Sequence, residues 1–411
     1  AVLTPQLIAL IAPGLKNPGT ITSAVRMTRI ILPAQLFFFV GGLLMAVQFS
    51  KERFFIPALA PLLYNLGIIS GGIILGPWIG MEGFAWGVLI GALIGNLLVQ
   101  FFGVRKTGLQ YFFIFNLGHP DLRKYVFLTL PLMIGMTMTF STEFFFRLFG
   151  SYLPQGSIAV LNFGLRIMLI LVGLFGQAVG TASFPFLARL MAENKLSEMN
   201  RLLNQTLRFI ALVIPFSVLF MVLRSEVVRI IFQRGKFDTI ATALTAEVLM
   251  YLLVGAFAFA AYTIVVRGYF ASQDTLFPAF YGTIVVILSI PLYLLAMNLL
   301  GVRGVALAVS LSGIFQVTVL YALWNKRSNN TESRRVYAFY VKIICFAVVM
   351  GIFLAWFKSA ALFWIDSTTF HGSLMVCFLT GAVFLIILLT AGYGLKINEL
   401  TELVHRLVKR H

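Results

Sequence analysis

The sequence predicts an all-α polytopic membrane protein: a two-lobed helical bundle with parallel repeats plus two extra C-terminal helices. Three observations carry this. Of 411 residues, 60% are hydrophobic and 11% charged, against roughly 45–50% and 25% in soluble proteins. The apolar residues fall in runs long enough to cross a bilayer. Two stretches of the chain match each other without a gap at an offset of 221 residues, as Gly80 and Gly301 do.

A helix needs about 20 apolar residues to cross about 30 Å of hydrocarbon. Twelve segments qualify as expected spans: 1–13, 27–49, 55–78, 84–104, 125–149, 158–188, 205–223, 241–270, 277–300, 304–325, 336–357 and 373–393. Basic residues such as Lys51, Arg53, Arg105, Lys106, Arg189, Arg267, Lys326 and Arg327 gather on one side of this arrangement. Fewer, among them Lys16, Arg224, Arg303 and Lys358, fall on the other. The richer side is expected to be cytoplasmic, which puts the C-terminus there. Residues 394–411 are expected to form an amphipathic cytoplasmic tail, because Ile397, Leu400, Leu403, Val404 and Leu407 recur at helical spacing beside Lys396, Arg406, Lys409 and Arg410.

The repeat organises the rest. Pro57 and Ala58 meet Pro278 and Ala279; Gly14, Gly80 and Gly83 meet Gly235, Gly301 and Gly304; Ala85 and Val88 meet Ala306 and Val309. An even number of spans separates the matched elements, so the repeats share one orientation, as in transporters whose halves are related by an axis along the membrane normal. The expected domains are a first lobe at 1–104 with four spans, a second lobe at 125–325 with six, two additional spans at 336–393, and the tail. The unequal lobes, and a chain that opens on Ala1 inside an apolar run, lead to the expectation of two further spans ahead of residue 1. Facing lobes predict a midplane cleft and alternating access.

The net charge of +17 could mark nucleic-acid binding. Its basic residues lie between apolar runs and not in one patch, so anionic membrane lipids are the expected partner and nucleic acid is not. Cys345 and Cys377 sit in separate apolar runs, which argues against a disulfide or a metal site. His-x-x-x-His, Cys-x-x-Cys and P-loop patterns are absent from the sequence, so no cofactor, metal, ATP drive or enzyme activity is expected.

Charges inside spans cost at least about 2.5–3.5 kcal/mol on insertion scales, and Glu143, Arg147, Arg166 and Lys342 are the ones that stand out. Glu143 and Arg147, four residues apart, share a helix face. They form either a self-neutralised packing pair or a phosphate-binding arginine held by its acid. Arg166, in Asn162-Phe163-Gly164-Leu165-Arg166, has no acid within four residues. It answers either to an anionic ligand or to an acid on another span such as Glu143. Lys342 can snorkel to its nearby interface. Gly173, Gly176, Gly180 and Pro185 downstream are expected to serve helix packing more than hinging.

Several segments resemble the MurJ (MviN) family of the multidrug/oligosaccharidyl-lipid/polysaccharide exporter superfamily. They are Phe232-Gln233-Arg234-Gly235-Lys236-Phe237-Asp238; Gly268-Tyr269-Phe270-Ala271-Ser272-Gln273-Asp274-Thr275 with Pro278; Asn162 through Arg166, with Gly173-Leu174-Phe175 and Pro185; and Pro57-Ala58, Pro61 and Asn65. The resemblance implies two six-helix lobes plus two helices. It also implies a flippase that carries lipid II, the undecaprenyl-pyrophosphate-linked peptidoglycan precursor, across the bacterial inner membrane. Arg166 matches a family cleft arginine, and Asn162 and Asn65 join it as implied substrate contacts. Leu165 stands where the family usually has Asp. Glu143 and Arg147 stand where it often has an amide and an acid, and the span 277–300 lacks acids. These departures argue against a bound sodium ion.

Two other functions compete: export of another polyprenyl-linked saccharide, and a non-transporting scaffold that meets other cell-wall synthesis proteins. A membrane glycan polymerase or transferase would need an acidic catalytic residue, and Glu82 and Asp366 lack a recognisable setting for one.

Overall fold

The computed structural model describes residues 2–106, 108, 118–137 and 141–394. The expected tail, 395–411, lies outside the described residues. Two compact units divide the chain between Tyr125 and Val126.

In the first unit α1 (Thr4–Ile11), α2 (Pro18–Ile31), α3 (Ala34–Ser50), α4 (Phe55–Ser70), α5 (Gly76–Ile79), α6 (Glu82–Ala92) and α7 (Val99–Arg105) follow in order. Short π-helical turns at Gly71–Leu75 and Leu93–Leu98 join α4 to α5 and α6 to α7. The later chain holds α8 (Pro120–Thr137), α9 (Ser141–Gly150), α10 (Ser157–Leu171), α11 (Ala178–Ala192), α12 (Leu196–Ile210), α13 (Val213–Val222), α14 (Arg224–Phe232), α15 (Thr239–Leu253), α16 (Ala256–Ala271), α17 (Leu276–Leu300), α18 (Val302–Arg327), α19 (Ser333–Leu362) and α20 (Phe370–Gly394).

Among the described residues nine helices are long and apolar enough to cross a membrane, and ten if the α15–α16 pair, bent by 45°, counts as one span. Two expected spans look different. The segment 1–13 forms only α1, eight residues or about 12 Å, because Pro13-Gly14 ends it. The segment 125–149 is occupied by α8 and α9, which flank residues 138–140, outside the description.

The repeat is visible element by element. Moved by 221 residues, α1, α2, α3, α4–α5 and α6–α7 fall on α14, α15, α16, α17 and α18, with ends agreeing to within a residue or so. Asn17 caps α2 by accepting from the Gly19 and Thr20 N–H groups, and its counterpart Asp238 caps α15 by accepting from Ala241 N–H. Glu52 and Gln273 both adopt left-handed backbone, φ 56° and 61°. In each case the flanking amides return to the helix end: Arg53 N–H to Gln48 O, Asp274 N–H to Tyr269 O. Gly80 and Gly301 share φ/ψ near 64°/−137° and 57°/−129°, a region open essentially to glycine. That turn explains why glycine stands at both positions.

The two hairpins differ in how their helices meet. A Cβ on Gly87 would lie 2.4 Å from Gly67 O, and one on Gly71 would lie 2.5 Å from Gly83 O. Backbones of α4 and α6 therefore touch along a small-residue seam. The counterparts of Gly67, Gly71 and Gly91 are Leu288, Leu292 and Ser312. These larger residues line a cavity of about 360 Å³ between α17 and α18. One backbone plan thus supports a glycine seam in one copy and a cavity lined by larger residues in the other.

An ion pair recurs with its charges exchanged. Arg26 Nη1 of α2 lies 3.6 Å from Glu82 Oε1 of α6. The equivalent residues are Glu247 of α15 and Arg303 of α18, whose Nη2 lies 2.6 Å from Glu247 Oε2. Both pairs tie a capped helix to the residue just after the glycine turn.

The later unit buries one large apolar cluster among α9–α18, including Leu161, Ile167, Met168, Leu203, Leu249 and Tyr269. A second cluster, with Leu212, Ile343, Ala347, Leu354 and Phe384, joins α13 to α19 and α20. Polar pins reinforce that junction. Glu226 Oε2 of α14 accepts from Lys358 Nζ at 2.7 Å with both side chains largely buried, and Arg229 donates to Ser373 Oγ at 3.1 Å and to Ser367 O. At the matching positions of α1 the residues are Pro5 and Ile8.

The exchanged pair yields a double-mutant test. Reversing one charge (Arg303→Glu) sets like charges side by side and should cost about 1 kcal/mol, read as a lower thermal midpoint in detergent. Reversing both (Arg303→Glu with Glu247→Arg) should recover most of the loss, since the first unit already carries that arrangement. An uncompensated double variant would show that the pair does not act as a pair.

Candidate functional site

Arg166 sits on α10, which follows Gly156 at φ 95°. The helix continues through a π-helical turn at Val172–Gln177 into α11, making one apolar rod from Ser157 to Ala192 of 36 residues. Its inner side packs on the core through Leu161, Leu165, Ile167 and Met168. Gly164 lets α15 come close, since a Cβ there would stand 3.1 Å from Val248. This packing fixes the rotation of the rod and turns Arg166 outward, where it is exposed. Among the described residues no hydrogen bond or ion pair is made to its guanidinium. Asn162, one turn earlier and half-buried, spends its Nδ2 on Ile158 O at 2.8 Å, leaving its Oδ1 free of that bond.

The acid that could have neutralised Arg166 is engaged elsewhere. Glu143 Oε2 lies 3.7 Å from Arg147 Nη2 on α9, and both side chains are about half exposed. This short helix is held by Phe145 and Phe149 against Tyr293 of α17, with ring centroids 4.6 and 5.0 Å apart. Asn65 lies in the first unit, exposed on α4.

A second arginine reaches the same rod from a neighbouring helix. Arg267, counted from sequence among the basic residues of the richer side, lies inside α16. Its Nη2 donates to Thr181 Oγ1 at 3.2 Å and toward Gln177 Oε1 at 3.5 Å; Gln177 ends the π-helical turn and Thr181 lies one turn further along the rod. Its Nη1 is buried without a hydrogen bond, against Gly180, where no Cβ would fit. Gln177 is 11 residues from Arg166, about 16 Å along the axis. Two cations thus lie on or against the rod; among the described residues Arg166 has no hydrogen-bonding or acidic partner and Arg267 is met by neutral oxygens. The spacing of Gly176, Gly180 and Thr181 is the sequence signal that could have pointed to Arg267.

The motif residues do backbone work. Gln233 Oε1 accepts from Arg229 Nε at 3.0 Å and Thr242 Oγ1 at 3.2 Å. Arg234 donates to Ile231 O at 2.7 Å, and Gly235 takes φ 60°. Gln273 supplies the left-handed turn described above. Asp274 Oδ1 accepts the Phe277 N–H at 3.1 Å, and its Oδ2 lies 3.0 Å from Arg327 Nη1. The Arg327 guanidinium stacks over the Phe277 ring at 3.6 Å, a cation–π contact. Among the described residues no group of three His, Cys, Asp or Glu is placed to hold a metal ion.

A repeated helical module with a helix pair appended to it defines a polytopic α-helical membrane protein. The family model described as "Lipid II flippase MurJ" matches residues 1–375, and the chain belongs to that family. A protein of Rhizobium tropici named "Probable lipid II flippase MurJ" is 27% identical over 78% of this chain and 61% of its own length. "Lipid II flippase MurJ" of Burkholderia cenocepacia is 24% identical over 85% of this chain and 69% of its own. The chain thus spans about three fifths of the Rhizobium relative. A solved structure titled "Lipid II flippase MurJ, inward closed conformation" superposes with a TM-score of 0.74 at 24% identity, covering 96% of this chain and 79% of that one. It shares the fold.

The structural reading of Asp274 is testable. Asp274→Ala should cost about 1 kcal/mol through the lost first-turn contact, seen as a lower thermal midpoint, and leave the affinity for any anionic ligand unchanged. A loss of ligand affinity at unchanged stability would make Asp274 a binding residue.

Proposed function

We propose that this protein is a flippase that carries lipid II from the inner to the outer leaflet of a bacterial inner membrane by alternating access, with the C-terminus on the cytoplasmic side. Family membership supports the substrate class. The observation that carries the reading is Arg166: a permanent cation on a membrane-length helix, exposed and without an acid partner among the described residues. A pyrophosphate supplies several acceptor oxygens and matches the planar guanidinium fork. Asn162 stands on the same face one turn away, and the Glu143–Arg147 pair on α9 offers a second guanidinium that an anion can share. Arg267, further along the rod, extends the cationic track. Asn65 is proposed as a contact from the first lobe. Other cell-wall synthesis proteins are proposed as neighbours in the membrane, and anionic lipids as its surroundings.

Cells depleted of the protein should accumulate the undecaprenyl-pyrophosphate precursor on the inner leaflet. Complementation with Arg166→Ala should restore protein to the membrane and leave the precursor trapped. Arg166→Lys, which keeps charge and loses the fork, should restore part of the export. Charge-assisted contacts of this kind are worth roughly 1.5–3 kcal/mol, about ten- to hundredfold in binding. Normal export with Arg166→Ala, or accumulation of a different lipid-linked glycan, would overturn the reading.

A further inference from the structure

Between α13 and α19 runs a trough of about 500 Å³ that neither the repeat nor the substrate reading uses. Its walls are apolar: Val218 and Met221 on one side, Val348, Ile352 and Ala355 on the other. The helices pinch together at Gly351, where a Cβ would come within 2.5 Å of Val218 Cγ1, and the trough opens beside that contact. At one end the character changes. Lys358, four residues before the end of α19, and Arg224, the first residue of α14, both line it.

The charges there do not cancel. Glu226 is taken by Lys358 at 2.7 Å, and Lys358 also donates to Val222 O at 2.8 Å. Arg224 Nη1 donates to Met221 O at 2.9 Å and meets no acid among the described residues. A guanidinium carries five N–H donors and an ammonium three, so the mouth keeps spare donors and a net charge of +1. The equivalents of Arg224 and Glu226 in the first repeat are Leu3 and Pro5, so this feature belongs to the place where the appended helices dock.

We infer that this trough is a binding site for one anionic phospholipid, with an acyl chain along α13 and α19 and its phosphate at Arg224 and Lys358. An apolar channel that ends in a helix-terminal cationic mouth matches a hydrocarbon chain joined to an anionic head. Its volume lies in the range of small-molecule sites. Charge complementarity selects an anionic head over a zwitterionic one, and the bound lipid would staple α19 to the repeat.

Native mass spectrometry of the full chain, titrated with phosphatidylglycerol or phosphatidylcholine, tests this. The first phosphatidylglycerol should bind about tenfold more tightly than the first phosphatidylcholine. Arg224→Ala should abolish that preference, and Arg224→Lys should keep most of it. Ala355→Phe, which fills the trough from an exposed position, should weaken the first-bound lipid of either kind and covers the case in which Arg224→Ala fails to fold. Three results would overturn the assignment: equal affinity for the two lipids, retention of the preference in Arg224→Ala or undiminished lipid binding in Ala355→Phe, or displacement of phosphatidylglycerol from this site by undecaprenyl phosphate at lower concentration.

Discussion

An ionised side chain within a membrane must be neutralised, carried to the interface or put to use, and this requirement sorts the charged residues on the described helices. Glu226 and Lys358 bury each other at 2.7 Å. Glu247 meets Arg303 and Asp274 meets Arg327. Arg229 spends its donors on Gln233, Ser367 and Ser373. Each of these pins one helix to another, and removing one partner would strand the other. Arg166 has no such arrangement among the described residues, and Arg267 is met by neutral oxygens alone. The two lie along one continuous rod, and a lipid-borne pyrophosphate is the kind of ligand that would complete them.

The repeat shows which parts of the module are fixed by backbone and which are free. Left-handed turns at Glu52 and Gln273, glycine turns at Gly80 and Gly301, and caps at Asn17 and Asp238 recur at the same register, because they satisfy helix ends that have no other partners. Side chains diverge around them. The seam that is glycine in α4–α6 is leucine and serine in α17–α18. The helix α14 carries Arg224, Glu226 and Arg229 where α1 has Leu3, Pro5 and Ile8, which equips one copy to hold α19 and α20.

Much of this was legible in the sequence, for reasons that also mark where legibility stops. Apolar run length announces a span, and Pro57/Pro278 with Gly80/Gly301 announce the repeat, because proline and glycine report backbone directly. The exchanged pair was hidden, since Arg26 opposite Glu247 scores as a mismatch although the contact is retained. From sequence Arg267 counts among the basic residues of one side, because it lies near the end of the expected span 241–270; only the fold shows Gly180 and Thr181 receiving it. Gln233, Arg234, Gln273 and Asp274 form a conspicuous motif, yet their partners are local main chain and each other's helices. Motif strength alone could not separate turn chemistry from ligand chemistry. The π-helical turn at Val172–Gln177, which follows Arg166 and ends at Gln177, one of the residues that meet Arg267, left no mark in the pattern of apolar residues.

A pyrophosphate is proposed as the partner that Arg166 lacks among the described residues. Binding of undecaprenyl pyrophosphate to the purified chain tests it most directly, comparing Arg166→Ala with the unaltered protein by native mass spectrometry at matched thermal stability. The account predicts roughly ten- to hundredfold weaker binding and little change for undecaprenol, which has the same tail and no phosphate. Equal binding of the pyrophosphate by both proteins would contradict it.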